Sequence, residues 1–230
     1  MAVSTDTDPG ALTASQAARR ERVLRTALEL GSSGGYDAVQ MRDVAASAGV
    51  ALGTIYRYFA SKDHLLAAAM VEWVKDLERR VGQRPPKGDT VADRVMDVLS
   101  RATRAMEREP QLSEAVVTAL MSPDPGAASC QEAVSGSMTR ILATALGSDF
   151  DAELQADLTR TLGHVWFSAL IGWVNGWSGI ERVGDEVALA THRERHGDRF
   201  SLFVADRDGA TQLPRIKQFE FSLQAKVVCR

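Results

Sequence analysis

The stretch Met41-Arg42-Asp43-Val44-Ala45-Ala46-Ser47-Ala48-Gly49-Val50-Ala51-Leu52-Gly53-Thr54-Ile55-Tyr56-Arg57-Tyr58-Phe59 reads as two short helices joined by a tight turn. Two helices that cross steeply need a small residue where they touch and a residue that accepts positive φ in the turn. They also need apolar residues that clamp both. Ala45 is the small contact residue and Gly49, four later, is the turn. Val44, Ala48, Val50, Ile55 and Tyr58 occupy the clamp positions in the same register. The expectation is a helix-turn-helix at about 41–59, with helices at about 41–47 and 52–58 and a turn at Ala48-Gly49-Val50. An ordinary helical hairpin with a glycine in its turn is the competing reading of the spacing alone.

The chemistry of the second helix separates the two. Its outward residues are Leu52, Gly53, Thr54, Tyr56, Arg57 and Tyr58. Hydroxyls of Thr and Tyr reach phosphates and base edges, Leu and the Thr methyl meet a thymine methyl, and Arg forks to guanine. Gly53 lets the backbone approach closely. Arg42 and Lys62 start the flanking helices, where a side-chain cation and free backbone N–H groups together suit phosphate. Charge agrees with this. From Ser15 to Lys62 there are seven cations and four anions, a surplus of three; with a net charge of −3 overall, the rest of the chain carries −6. A basic head on an acidic body suits docking of one end on phosphates.

Outward from this head, residues 1–14 are small and polar and read as a disordered arm. Residues 15–32 turn helical, with Val23, Ala27 and Leu30 in a stripe widened by Leu24 and Leu28, and Gly34-Gly35 stops the helix. Ser61 is a plausible N-cap for a helix from Lys62 to about Arg80, with Asp63 in its first turn and Leu65, Leu66, Ala69, Trp73 and Leu77 on its stripe. The segment Gly82–Asp89, with Pro85-Pro86, is a candidate boundary. Beyond it, Val91–Glu107 places Val95, Val98, Leu99, Ala102 and Met106 on one face. Pro110 opens another helix that ends before Pro123. Residues 127–146 put Val134, Met138, Ile141, Leu142 and Ala145 inward. Residues 151–175 are apolar on more than one face, through Leu154, Leu158, Leu162, Val165, Trp166, Ala169, Leu170 and Trp173, and so call for burial on more than one side. The expected fold is all-α: a three-helix DNA-binding domain at 15–62 and a helical bundle at 63–189 for ligand binding and dimerisation.

The string Gly34-Gly35-Tyr36-Asp37-Ala38-Val39-Gln40-Met41-Arg42-Asp43-Val44-Ala45, continued by Gly53-Thr54-Ile55-Tyr56-Arg57-Tyr58-Phe59-Ala60-Ser61-Lys62, resembles the N-terminal domain of the TetR family of transcriptional regulators. The resemblance implies a three-helix head on a helical body, a homodimer, and double-stranded operator DNA as partner. Carried onto matching positions, it implies DNA contacts from Thr54, Tyr56 and Tyr58, with Arg42 and Lys62 on phosphates. It extends into the body at Arg104-Ala105-Met106, Pro110, Leu112, Glu114-Ala115, Ala127-Ala128-Ser129 and Val165-Trp166-Phe167-Ser168 with Trp173, over roughly residues 16–185. There it is similar to the branch that represses sterol catabolism in actinobacteria, which implies a sterol-derived acid or its CoA thioester as effector.

A bulky apolar effector needs large apolar side chains around a cavity with a few polar anchors. Met106, Leu112, Val116, Leu120, Met138, Leu142, Trp166, Leu170 and Trp173 are the candidates, with Met121 beside them; the same residues also serve as plain core. His164 reads either as an anchor or as an ordinary helix histidine. Arg101, Arg104 and Arg108 read either as a solvated face or as a site for a CoA phosphate. An enzyme or a helical adaptor without DNA binding is the alternative class. Against the enzyme stands the lack of a nucleophile elbow, a P-loop or a dinucleotide fingerprint. His192 and His196 lack a nearby third metal ligand, and Cys130 and Cys229 are too far apart for a metal spacing, so neither metal nor cofactor is expected. No apolar run of membrane-spanning length and no leader pattern is present, and the cytoplasm is the default compartment.

The tail departs from this plan. After Ala190 comes Thr-His-Arg-Glu-Arg-His-Gly-Asp-Arg, with no apolar stripe, where the family resemblance implies a long helix completing the dimer interface. Phe200–Val204 and Phe219–Leu223 are strand-like, with Asp208-Gly209 as a turn signal. Two readings of 190–230 stand: a genuine extension, or a change of coding frame near Ala190.

Overall fold

The computed structural model describes residues 12–179, Val183 and the backbone of two segments, 199–206 and 215–222. Eight helices come first: α1 Ala14–Ala38, α2 Met41–Ala48, α3 Leu52–Tyr56, α4 Lys62–Gln83, α5 Val91–Glu107, α6 Pro110–Leu120, α7 Pro125–Leu146 and α8 Ala152–Val174. The strands β1 Arg199–Asp206 and β2 Arg215–Ser222 pair antiparallel in register, Phe200 opposite Phe221 and Leu202 opposite Phe219. They fall where the strand-like runs of the tail lie. The Ala190 junction, both tail histidines, Asp208-Gly209 and Cys229 lie outside the described residues, as does most of the N-terminal arm. No helix among the described residues is long and apolar enough to cross a membrane.

The helix starts have chemical causes. Thr13 and Gln16 form a capping box that begins α1 one residue before the expected Ser15. Thr90 and Asp93 form another at α5. Ser61, Asp124 and Asp151 cap α4, α7 and α8 with side-chain oxygens, and Pro110 and Pro125 stand in the first turns of α6 and α7. The continuous α1 run conceals the break expected at Gly34-Gly35: both residues have non-helical backbone angles, and Gly35 sits at φ 68°.

The α5 stripe is buried as expected, Val95, Val98, Leu99, Ala102 and Met106. So is that of α7, Val134, Met138, Ile141, Leu142 and Ala145. Helix α4 differs from its single expected stripe. Every residue from Leu65 to Val71 is buried, because α1, α6 and α7 all pack on this helix. Three consecutive alanines, Ala67 to Ala69, admit neighbours on several sides. Trp73, expected inward, is only half-buried. On α8, Leu162, Trp166, Ala169 and Leu170 are buried, while Leu154, Leu158, Val165 and Trp173 are half-buried.

The Gly82–Asp89 segment links α4 to α5 and is pinned by Arg101, whose guanidinium donates to the carbonyls of Arg84 (3.0 Å) and Pro85 (3.3 Å). Arg94 holds the far end of the bundle, donating to the terminal α7 carbonyls of Ala145 (2.9 Å) and Leu146 (3.3 Å) and pairing with Asp149 at 3.0 Å.

Candidate nucleic-acid interface

The turn between α2 and α3 has the geometry its residues call for. Gly49 adopts φ 63° and ψ 41°, the left-handed region that favours glycine. The Val50 N–H donates to the Ala45 carbonyl at 3.0 Å and the Gly49 N–H to that of Ala46 at 3.2 Å, so the end of α2 is satisfied within the turn. Val44, Ala45, Ala48 and Ile55 are buried between the helices, with Val50 and Tyr58 half-buried beside them.

Turning Ile55 inward sends its neighbours outward. Gly53, Tyr56 and Arg57 are exposed, Leu52 and Thr54 half-buried, and Arg42 stands exposed on α2. Tyr56 keeps 51% of its surface in solvent, one of few large hydrophobic side chains so exposed among the described residues. With its ring in solvent and its hydroxyl free to reach a partner, Tyr56 is placed for contact rather than for packing.

Part of the basic surplus of the head is engaged internally. Arg20 lies over the Phe59 ring, 5.5 Å from its centroid, and pairs with Glu72 of α4 at 3.5 Å. Arg22 donates to the Ala48 carbonyl at 3.3 Å. Lys62 is turned toward α1: its ammonium donates to the Tyr36 carbonyl at 3.2 Å and sits 3.6 Å from the centroid of the Tyr36 ring. Arg25, Arg42 and Arg57 remain outward.

Head and body meet at the first turn of α4. The Tyr36 hydroxyl donates to one carboxylate oxygen of Asp63, and the Ser122 hydroxyl, after α6, donates to the other at 2.6 Å. Burial, with help from the Asp63 carboxylate, pushes the Tyr36 phenol up to about 12. The His64 ring stands edge-on to Phe59, 5.6 Å between centroids, and its Nδ1 accepts from the Ala60 N–H at 3.2 Å. A second junction joins α1 to α6: a side chain at buried Gly31 would press on Leu112, and Ser32 donates to Glu109. Sequence reasoning missed the Tyr36–Asp63–Ser122 bridge. Its one legible sign was a tyrosine directly after a helix-stopping glycine pair.

The candidate ligand residues separate into two groups. Leu120, Met138 and Trp166 line a cavity of about 320 Å³ between α6, α7 and α8, together with Gln131, Phe167 and His164. Met106, Val116, Leu142 and Leu170 are buried in the general core, and Leu112 and Trp173 pack against it from outside. The indole N–H of Trp166 donates to the Thr103 hydroxyl at 3.2 Å. Met121 is exposed. Cys130 is a buried free thiol whose pKa is pushed up by burial. Among the described residues no group of His, Cys, Asp or Glu is placed to hold a metal ion.

Comparison with known proteins matches this layout in both parts. Residues 23–69 match the profile described as bacterial regulatory proteins, tetR family, and residues 88–193 the tetracyclin repressor-like, C-terminal domain. The HTH-type transcriptional repressor KstR of Rhodococcus jostii (strain RHA1) is 41% identical over 174 residues, covering 76% of this chain and 81% of that protein. The chain belongs to the TetR family. Among solved TetR-type structures, a TetR transcriptional regulator from Rhodococcus sp. RHA1 is 32% identical with a TM-score of 0.68, covering 76% of this chain and 93% of that one. Thermus thermophilus FadR, a repressor solved in complex with lauroyl-CoA, shares the fold at 21% identity and a TM-score of 0.60, covering 77% and 97%. The TetR relatives are transcriptional regulators and not enzymes, and this chain is a repressor of the same kind.

Proposed function

We propose that the chain represses transcription as a homodimer on operator DNA and is released by a small apolar effector, a sterol-derived acid or its CoA thioester. The observation that carries the DNA surface is the exposed set Gly53, Tyr56 and Arg57 on α3 and its flank, with half-buried Leu52, Thr54 and Tyr58 around it and Arg42 exposed on α2. Lys62 contributes from the start of α4, less as a free phosphate hook than as the residue that fixes the end of α1 beside it. The half-buried apolar residues of α8, Leu158, Val165 and Trp173, support dimerisation through that helix, since a second copy would complete their burial. Two recognition helices then enter successive major grooves.

The effector reading is supported by the similarity to KstR and by the cavity between α6, α7 and α8. Its volume lies at the lower end of the roughly 300–1,000 Å³ of small-molecule pockets. The lauroyl-CoA bound to the Thermus FadR is a precedent for a thioester in this fold, not an assignment for this chain. Ligand in the cavity displaces α6, which touches the head through Leu112 against Gly31 and, through Ser122 just after it, holds Asp63, the partner of Tyr36. The displaced arrangement favours the DNA-free state only to the extent that the ligand binds it better.

Titrating the protein–operator complex with sterol-derived CoA thioesters, the matching free acids and unrelated acyl-CoAs tests the effector. Release by the sterol series at lower concentration than by unrelated acyl chains is expected. Equal potency across all of them would overturn the sterol assignment. Unaltered mobility of promoter DNA at low salt across micromolar protein would overturn the DNA assignment itself.

A further inference from the structure

A second cavity, about 440 Å³, opens between α4 and α5 and has a different chemistry from the first. Arg101, Arg104 and Arg108 recur at three and four residues, so they share one face of α5. Arg80 and Arg84 are four apart at the end of α4. The turn at Pro85-Pro86 folds α5 back along α4, and the two arginine faces confront each other across the gap. The two helices make few direct contacts with one another. Trp73 stands at the wall, and Leu77 and Val81 form an apolar floor.

The charge in this groove is compensated only in part. Its one lining carboxylate, Asp76, is engaged by Arg79 and Arg80, and Arg101 is paired with Asp97. Asp97 also lies near enough to Arg84 for the two charges to interact, while among the described residues no carboxylate lies within ion-pair distance of Arg104 or Arg108. A solvated arginine face points to open water. Here two such faces converge on a concave space with an indole in it. Guanidinium groups bind phosphate oxygens in a planar fork, and an indole offers a face to a flat base. The site lies apart from the DNA surface: Arg80 is eighteen residues along α4 from Lys62, about 27 Å at 1.5 Å per residue.

We infer that the α4–α5 groove binds the phosphorylated nucleotide end of CoA, with its phosphates on Arg84, Arg104 and Arg108 and its base against Trp73. This inference rests on the thioester form of the effector proposed above. It also gives that form a second grip on the head, because Glu72, next to Trp73, holds Arg20 of α1.

Isothermal titration of the full chain without DNA tests it, using coenzyme A, ADP, adenosine and sodium phosphate as probes. Coenzyme A and ADP are expected to bind, with adenosine and phosphate each far weaker. The double variant Arg104→Gln/Arg108→Gln should lose at least about tenfold in coenzyme A affinity at unchanged melting temperature, since both side chains are exposed and the one bond lost is that from Arg104 to the Ser100 carbonyl on its own helix. Arg84→Gln gives the same readout from α4, and Trp73→Ala should weaken ADP more than phosphate. Wild-type affinity in the arginine variants, phosphate binding as tight as coenzyme A, or no coenzyme A binding at about 1 mM would each overturn the site. The assay contains neither acyl chain nor operator. Failure of thioesters to release operator therefore sinks the effector reading separately.

Discussion

The head and the body use apolar residues in opposite ways. On α3, Ile55 is buried and Tyr56 beside it is half in solvent, so one residue step separates scaffold from contact surface. In the body, Leu142 of the core and Met138 of the cavity wall lie on the same face of α7, and both are buried. A surface site differs from core in exposure, which sequence periodicity reports. A cavity differs from core only in whether a neighbour arrives to fill the space, and that is set by packing between distant segments.

The sharpest test of this contrast is the pair Ile55→Ala and Leu142→Ala. Each removes a side chain with no solvent exposure and should cost about 2–5 kcal/mol by chemical denaturation. A cost near zero for Ile55→Ala would mean the head is not clamped as described. Next in size is Tyr56→Ala, which should leave the melting temperature alone and weaken operator binding by about five- to 150-fold in a mobility-shift titration, the worth of one good base-edge contact. Equal affinity would break the contrast on the surface side. Met138→Ala should change effector affinity while Leu142→Ala, compared at equal folded fraction, should not. A smaller effect, about 1 kcal/mol of stability, is expected for Gly49→Ala, where open space leaves only the left-handed backbone to penalise a side chain. The smallest concerns acid. The Ala127 N–H holds the Asp124 carboxyl below its ordinary 3.8, so its contribution to stability is present above that pH and fades as pH falls through the lowered value. Asp124→Asn should flatten that part of the acid unfolding curve.

Much of this was legible beforehand, for identifiable reasons. Val95, Val98, Leu99, Ala102 and Met106 announced their helix face because branched and long apolar residues repeat there between charges. Gly49 announced its turn because few other residues accept its backbone angles. Helix α4 was half legible: Ala67, Ala68 and Ala69 carry too little hydrophobicity to signal burial, yet their smallness is why three helices can crowd them. The arginine groove was legible on α5 alone. Arg80 and Arg84 join it only because a proline-containing turn reverses the chain, a fact of topology that no single-helix pattern contains. Lys62 illustrates the limit within the head, since its position matched a phosphate contact while its ammonium faces Tyr36.

One small contact has a genetic consequence. Gly126, in the first turn of α7, lies so close to the His64 ring that a methyl group there would meet ring atoms at 2.5 Å. His64 follows Asp63, which joins the Tyr36 and Ser122 hydroxyls. An alanine allele at 126 is therefore expected to push His64, and the first turn of α4 with it, away from the body with no effector present. A selection for constitutive expression of the repressed genes should recover it, although the mutation touches neither the DNA-facing residues nor either cavity.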